Sequence, residues 1–175
     1  MVCGKAGARF PTAEEFTQVE EEEDRAALAI PKLKRRATPN LLIYADRVES
    51  PEHECYAEWL TNSAQGAEPF ALSELGASGF VRIVTNPKIW HEPTSIKDAL
   101  EFIQRLRSRS NARLLTHGPG SWDMFAQLCL AARARGKLVA DAYHAALAIE
   151  HGCEFITADA DFGRFPGLRQ RHPLA

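Results

Sequence analysis

The chain has 175 residues and a mass of 19.4 kDa, with 45% apolar and 25% charged residues, which fits one compact domain and excludes a disordered tail, a collagen or a mini-protein. Lys plus Arg number 21 against 23 Asp plus Glu, a net charge of -2, so no global basic excess points to nucleic acid and any polyanion must be met by a local patch. Cys3, Cys55, Cys129 and Cys153 form no CxxC pair, no apolar run approaches the roughly 18 residues of a bilayer span, and the start lacks a secretory core, so a cytoplasmic protein with reduced thiols and no membrane partner is expected.

Residues 1–37 read as an atypical extension. The acidic run Glu20 to Asp24 is followed by basic Lys32, Lys34, Arg35 and Arg36, with few large apolar residues to build a core. One reading is a poorly ordered segment; the other is an amphipathic helix around Glu14 to Ile30 that docks on this domain or on a partner. LKRRA is a poor candidate for a central parallel strand.

From Asn40 the texture changes. NLLIYA is a compact apolar run that reads as a buried turn, and Cys55, Tyr56, Trp59 and Leu60 lie at helical spacing after a Ser-Pro start. Pro69 to Leu72 predicts a short extended piece. Ser73, Leu75, Phe80, Ile83 and Val84 then predict a capped helix that stops before Pro87. Thr94 to Arg107 reads as a helix with Ile96, Leu100, Ile103 and Leu106 on its apolar face. Arg113 to Leu115 suggests a brief strand, and HGPGS a loop leading into a helix from Trp122 to Arg133, with Trp122 and Trp90 read as core or interface. Leu138 to Glu150 has the strongest helical pattern, ended by Gly152. CEFIT then predicts a buried strand closed by the turn ADAD. Helices alternating with short apolar strands predict an α/β domain over residues 38–175, with a parallel sheet whose strand ends carry the site.

Asp141 lies in the first turns of a largely apolar helix, where it is either a cap or dipole partner or a functional acid. Asp159 and Asp161 follow the CEFIT strand and are either an Asx-type turn or a second contribution to the same crevice. Glu74 is a candidate third acid at a helix start. Carboxylates that converge repel one another, raise one another's pKa and call for a divalent cation, with all-oxygen ligands favouring Mg²⁺ or Mn²⁺ over zinc. Such a cation supports phosphodiester hydrolysis without a Ser, Cys or His nucleophile. The cations Arg133, Arg135 and Lys137 just before the Asp141 helix are either solvated charges or a phosphate path; Arg82, Arg113 and Arg164 flank the other motifs.

NLLIYADRVESPEHE, ELGASGFVRIVTNP, LVADAYHAALAIEHG and TADADFGRFPGL, in this order, resemble the PIN-domain ribonucleases, in particular the VapC toxins of type II toxin-antitoxin pairs. The resemblance covers residues 38–175. It implies a PIN-like fold, a small parallel sheet flanked by helices in three α/β/α layers. It further implies a Mg²⁺-dependent endoribonuclease (Mn²⁺ substituting), acting on RNA, dimeric, and inhibited by a cognate VapB-like antitoxin that occludes the acidic pocket with a basic side chain. Asp141, Asp159 and Glu74 are the implied metal-binding and catalytic acids, Asp161 a further ligand of the same cluster, and Asn40 a supporting residue.

In two places the chain departs from that pattern. Relatives carry Asp-x-Asn where this chain reads Thr38-Pro39-Asn40, so the first carboxylate is missing, and Asp46 does not replace it in this register. The helix acid of many relatives falls beside the positions of Gly79 and Phe80, whereas Glu74 lies earlier. Losing one negative ligand weakens Mg²⁺ binding. The alternative expectation is therefore a catalytically degenerate PIN-like module that binds an antitoxin or RNA without cleaving.

Overall fold

In a computed structural model, the described residues are 35–37 and 39–175; the expected extension before them, the proposed helix over Glu14 to Ile30, and Thr38 lie outside this set. Five strands, β1 (Arg35–Ala37), β2 (Phe70–Ser73), β3 (Ala112–Leu115), β4 (Glu154–Ile156) and β5 (Gln170–Arg171), form one sheet in the order β3-β2-β1-β4-β5. Every pairing is parallel. The helices are α1 (Pro39–Asp46), α2 (His53–Gln65), α3 (Glu74–Val84), α4 (Ile96–Arg107), α5 (Ser121–Ala131) and α6 (Lys137–Glu150), with a 3-10 turn at Ala160–Arg164.

β1 differs from what LKRRA suggests. Arg35–Ala37 was grouped with the extension, yet it forms the middle of the sheet, pairing Arg35 with Phe70 on one side and with Glu154 on the other. Strand membership here follows from backbone groups: two neighbouring apolar strands each offer a ladder that three residues between them complete.

The sheet has a core on each face, the three-layer arrangement. Phe70, Leu72 and Ile156 point into one core with α1 to α4, and Ala71 and Phe155 into the other with α5 and α6, as the period-2 geometry of strands requires. β2 is buried along its whole length, as expected of a strand covered on both faces.

Local signals account for several helix ends. Ser73 caps α3 by accepting from the Gly76 amide at 3.1 Å, and Ser95 caps α4 by accepting from Asp98 N at 3.1 Å. α6 stops at Gly152, whose φ of 58° favours glycine. NLLIYA is not a turn but the body of α1, buried at Leu41, Leu42, Ile43 and Ala45. α4 is rotated from expectation: Ala99, Ile103 and Leu106 are buried, while Ile96 and Leu100 are more than half exposed. Ala99, fully buried, is the small residue that lets the two helices approach, and Phe102 stacks on Phe80 at 4.9 Å. Trp122 is likewise exposed at 69%, whereas Trp90 packs against the core and donates to Ile83 O at 3.0 Å. Among the described residues no helix is long and apolar enough to cross a membrane, and Cys55, Cys129 and Cys153 are free thiols.

Arg47, only 7% exposed, ties the end of α1 to the loop before α4. It donates to Thr94 Oγ1 (2.8 Å), Glu92 O (2.8 Å) and Glu49 Oε1 (2.7 Å), and its guanidinium lies 4.4 Å from the Trp90 ring centre. Arg47→Ala removes a buried guanidinium that ties together a half-buried hydroxyl, a carbonyl and an exposed carboxylate, and with it the cation–π contact on Trp90. A loss of about 3 kcal/mol in unfolding free energy is expected by denaturant titration, and Arg47→Lys, lacking the planar fork, is expected to recover little of it.

Candidate active site

The strand order reverses at β1: the chain moves outward through β2 and β3, then crosses to β4 on the other side. In open parallel sheets ligands bind in the crevice beyond the carboxyl ends of the strands at such a reversal. That crevice is a cavity of about 620 Å³. Pro39 and Asn40 follow β1 into its wall, Asp159 follows β4, α6 contributes Lys137, Ala140, Asp141 and His144, and α3 contributes Leu75, Ser78, Gly79, Arg82 and Ile83.

Of the acids singled out from sequence, Asp141 and Asp159 line this cavity together, with Asn40 beside them. Asp161 is partly exposed just outside, paired to Arg164 Nε at 3.3 Å. Glu74 is exposed at the start of α3 and is not part of the cavity wall. Of the three cations before Asp141, Lys137 reaches the cavity; Arg133 and Arg135 are exposed on the approach to α6 and do not line it.

Asp159 sits in the Asx-type turn suggested by ADAD: its Oδ1 accepts from the Asp161 amide at 2.9 Å. Its Oδ2 accepts from Lys137 Nζ, also at 2.9 Å, and the same ammonium lies 3.6 Å from Asp161 Oδ2. Burial alone would raise the Asp159 pKa, but the Lys137 hydrogen bond and the Asp161 amide outweigh it and hold the carboxyl below its ordinary value. Lys137 is correspondingly held up, chiefly by that hydrogen bond.

Asp141 behaves oppositely. Burial, helped by the charges of Asp159 and Asp161 and only partly offset by Lys137, pushes its pKa up from 3.8 to about 6. Its Oδ2 is buried with no hydrogen-bond partner. Between pH 3.8 and 6 the native state thus binds more protons than the unfolded chain, so this group's cost to stability grows as pH rises through that window and is full above it. Asp141→Asn is expected to stabilise the fold by on the order of 1–2 kcal/mol at pH 8, with the difference vanishing near pH 4, in paired unfolding titrations.

Sequence reasoning did not draw His144 to the site, and it named Arg82 only as a cation flanking a candidate motif. His144, only 7% exposed, stands three residues after Asp141 and so on the same side of α6; Arg82 stands four after Ser78 on α3. Helical spacing from Asp141 was the signal available for His144. For Arg82 it was its place within the ELGASGFVRIVTNP motif, which α3 carries into the facing wall.

Two acids, an amide and two cations thus line one crevice at the strand reversal of an α/β sheet. The PIN domain profile matches residues 40–168, and the chain belongs to the PIN-domain family. Within it, the chain is 39% identical over 135 residues to Ribonuclease VapC43 of Mycobacterium tuberculosis, covering 77% of this chain and 92% of that one. It is also 31% identical to Ribonuclease VapC25 of the same organism over 134 residues, covering 77% and 94%. Among solved structures, VapBC2 from Rickettsia felis bound to a DNA fragment from its promoter has a similar fold, with a TM-score of 0.60 at 16% identity over 79% of this chain and 97% of that one. FitAcB from Neisseria gonorrhoeae gives 0.53 at 19% identity, over 79% and 97%.

Proposed function

We propose that this chain is the toxin of a type II toxin-antitoxin pair, an endoribonuclease that cuts RNA in the cytoplasm with a divalent cation and is silenced by a VapB-like antitoxin. The observation that carries the reading is the pairing of Asp141 and Asp159 in one cavity at the strand reversal, with the buried Asp141 Oδ2 lacking any donor. The relatives named as VapC ribonucleases and the VapBC assemblies of similar fold support it.

The donor set fits a hard cation. Among the described residues no three His, Cys, Asp or Glu side chains are arranged to hold a metal. Mg²⁺ is nevertheless commonly held by one or two carboxylates, with water and substrate phosphate completing its shell. Asp141 and Asp159 would hold it, with Asn40 beside them; Asp161 and Glu74 would contribute only from outside the wall they now leave open. When bound, Mg²⁺ or Mn²⁺ supplies a polarised phosphoryl oxygen and an acidified water. This chain's own part is to place the phosphate. Arg82 lines the same cavity from α3, and with Lys137, and with Arg133 and Arg135 on the approach, it would hold the RNA backbone by charge-assisted hydrogen bonds. A second copy of the chain, as in a homodimer, completes the partners of this reading.

A second reading, a PIN-like module that binds without cleaving, is favoured by the Lys137–Asp159 pair, which occupies one of the two carboxylates, and by Thr38 at the position of the first acid. The assay that separates them offers single-stranded RNA and DNA to the purified chain with Mg²⁺, Mn²⁺ or EDTA, beside Thr38→Asp. Cation-dependent RNA cleavage by the starting chain supports the enzyme. Cleavage only after Thr38→Asp supports the silent module, and cleavage that persists in EDTA removes the metal from the account.

A further inference from the structure

Lys137 is the first residue of α6, and Asp141 lies one turn further along the same face. The ammonium does not settle on Asp141. It passes to Asp159 Oδ2 at 2.9 Å, with Asp161 Oδ2 at 3.6 Å, and leaves Asp141 Oδ2 buried without a partner. The cavity thus carries a positive charge of its own on a four-carbon tether, lodged on one of the two carboxylates and absent from the other.

We propose that Lys137 sets the metal affinity of this chain by acting as a tethered competitor, so that a divalent cation gains both carboxylates only when the ammonium leaves Asp159. This inference rests on the metal reading above and deepens it. A cation seated between Asp141 and Asp159 would share the Asp159 carboxylate with the ammonium, and two positive charges that close repel strongly in a half-buried site. The ammonium has somewhere to go. Its side chain is 65% exposed, and Asp161 Oδ2, whose other oxygen faces Arg164, is a second carboxylate within reach of the same tether. Asp161 is then the residue that receives Lys137 rather than one that holds the metal. Because the Lys137 contact is largely solvent-exposed, the competition shifts affinity without abolishing it.

The test is Mn²⁺ binding by the intact chain, read from the loss of the free-ion paramagnetic resonance signal, for the parent, Lys137→Met, Lys137→Arg and, as a remote charge control, Arg107→Met in the last turn of α4. Lys137→Met is expected to bind Mn²⁺ about tenfold more tightly, while Lys137→Arg and Arg107→Met stay near the parent. Equal affinity in the parent and Lys137→Met overturns the competitor role and leaves the metal reading standing. So does equal tightening in Lys137→Arg, which keeps the charge, or in Arg107→Met, which lies away from the cavity. Absence of Mn²⁺ binding at millimolar concentration in every variant removes the metal reading and this inference together.

Discussion

Asp141→Asn is expected to lower Mg²⁺-dependent RNA cleavage by at least about 100-fold while leaving the fold intact and, above pH 6, more stable than the parent. The substitution keeps shape and removes the charge. Asp141 is the acid whose buried oxygen finds no donor inside the protein, so its ionisation at neutral pH is worth its cost only when a cation arrives from outside. Single-turnover cleavage of a labelled single-stranded RNA, with thermal unfolding on the same samples, separates this from misfolding. A loss of activity together with a gain in melting temperature is the signature of a functional acid; parent-level cleavage would falsify the assignment.

The second large effect belongs to Phe80. It is fully buried, stacked on Phe102, and stands on α3, the helix whose other side forms the cavity wall through Ser78, Gly79 and Arg82. Phe80→Ala removes a ring's worth of burial and leaves a void that the flanking α1 and α4 fill only in part, so a loss of about 3–5 kcal/mol is expected from urea unfolding. The damage extends to the site. With its anchor gone, α3 holds Arg82 less firmly in the cavity wall, and on the proposed reading the surviving folded fraction is expected to bind RNA more weakly at unchanged Mn²⁺ affinity. Phe80→Leu, which keeps most of the volume, is expected to recover much of both losses.

The fold was legible wherever a local signal and the tertiary demand agreed. Ser73 ahead of an apolar helix, Gly152 after one, and the Asp159 turn are each fixed by chemistry within a few residues, and each is found where that chemistry requires. α1 was not legible because Leu41, Leu42 and Ile43 form an unbroken apolar run, which carries no period to distinguish helix from turn. In α4 two apolar stripes compete, and the one with the larger side chains at Ile96 and Leu100 lost to the one whose small Ala99 permits close helix packing. Arg35–Ala37 is a strand because of its two neighbours, a fact no window around it contains.

The site divides the same way. Asp141 and Asp159 could be paired from sequence because a helix, a short strand and a turn connect them, leaving little freedom in where each ends. Glu74 could not be placed from helix phase, since it shares a face of α3 with Ser78 on the cavity wall yet, one turn earlier at the helix start, falls outside that wall. The direction of Lys137 depends on a long, flexible side chain choosing among three acids, two of them supplied by a distant turn.

Both acids that line the cavity come from one stretch of chain, residues 137–159, while the facing wall is drawn from residues 39–83. The acids and the wall that faces them are therefore carried by separate stretches of chain. Substitutions among residues 39–83 can reshape one side of the cavity while the stretch that carries Asp141 and Asp159 keeps its sequence.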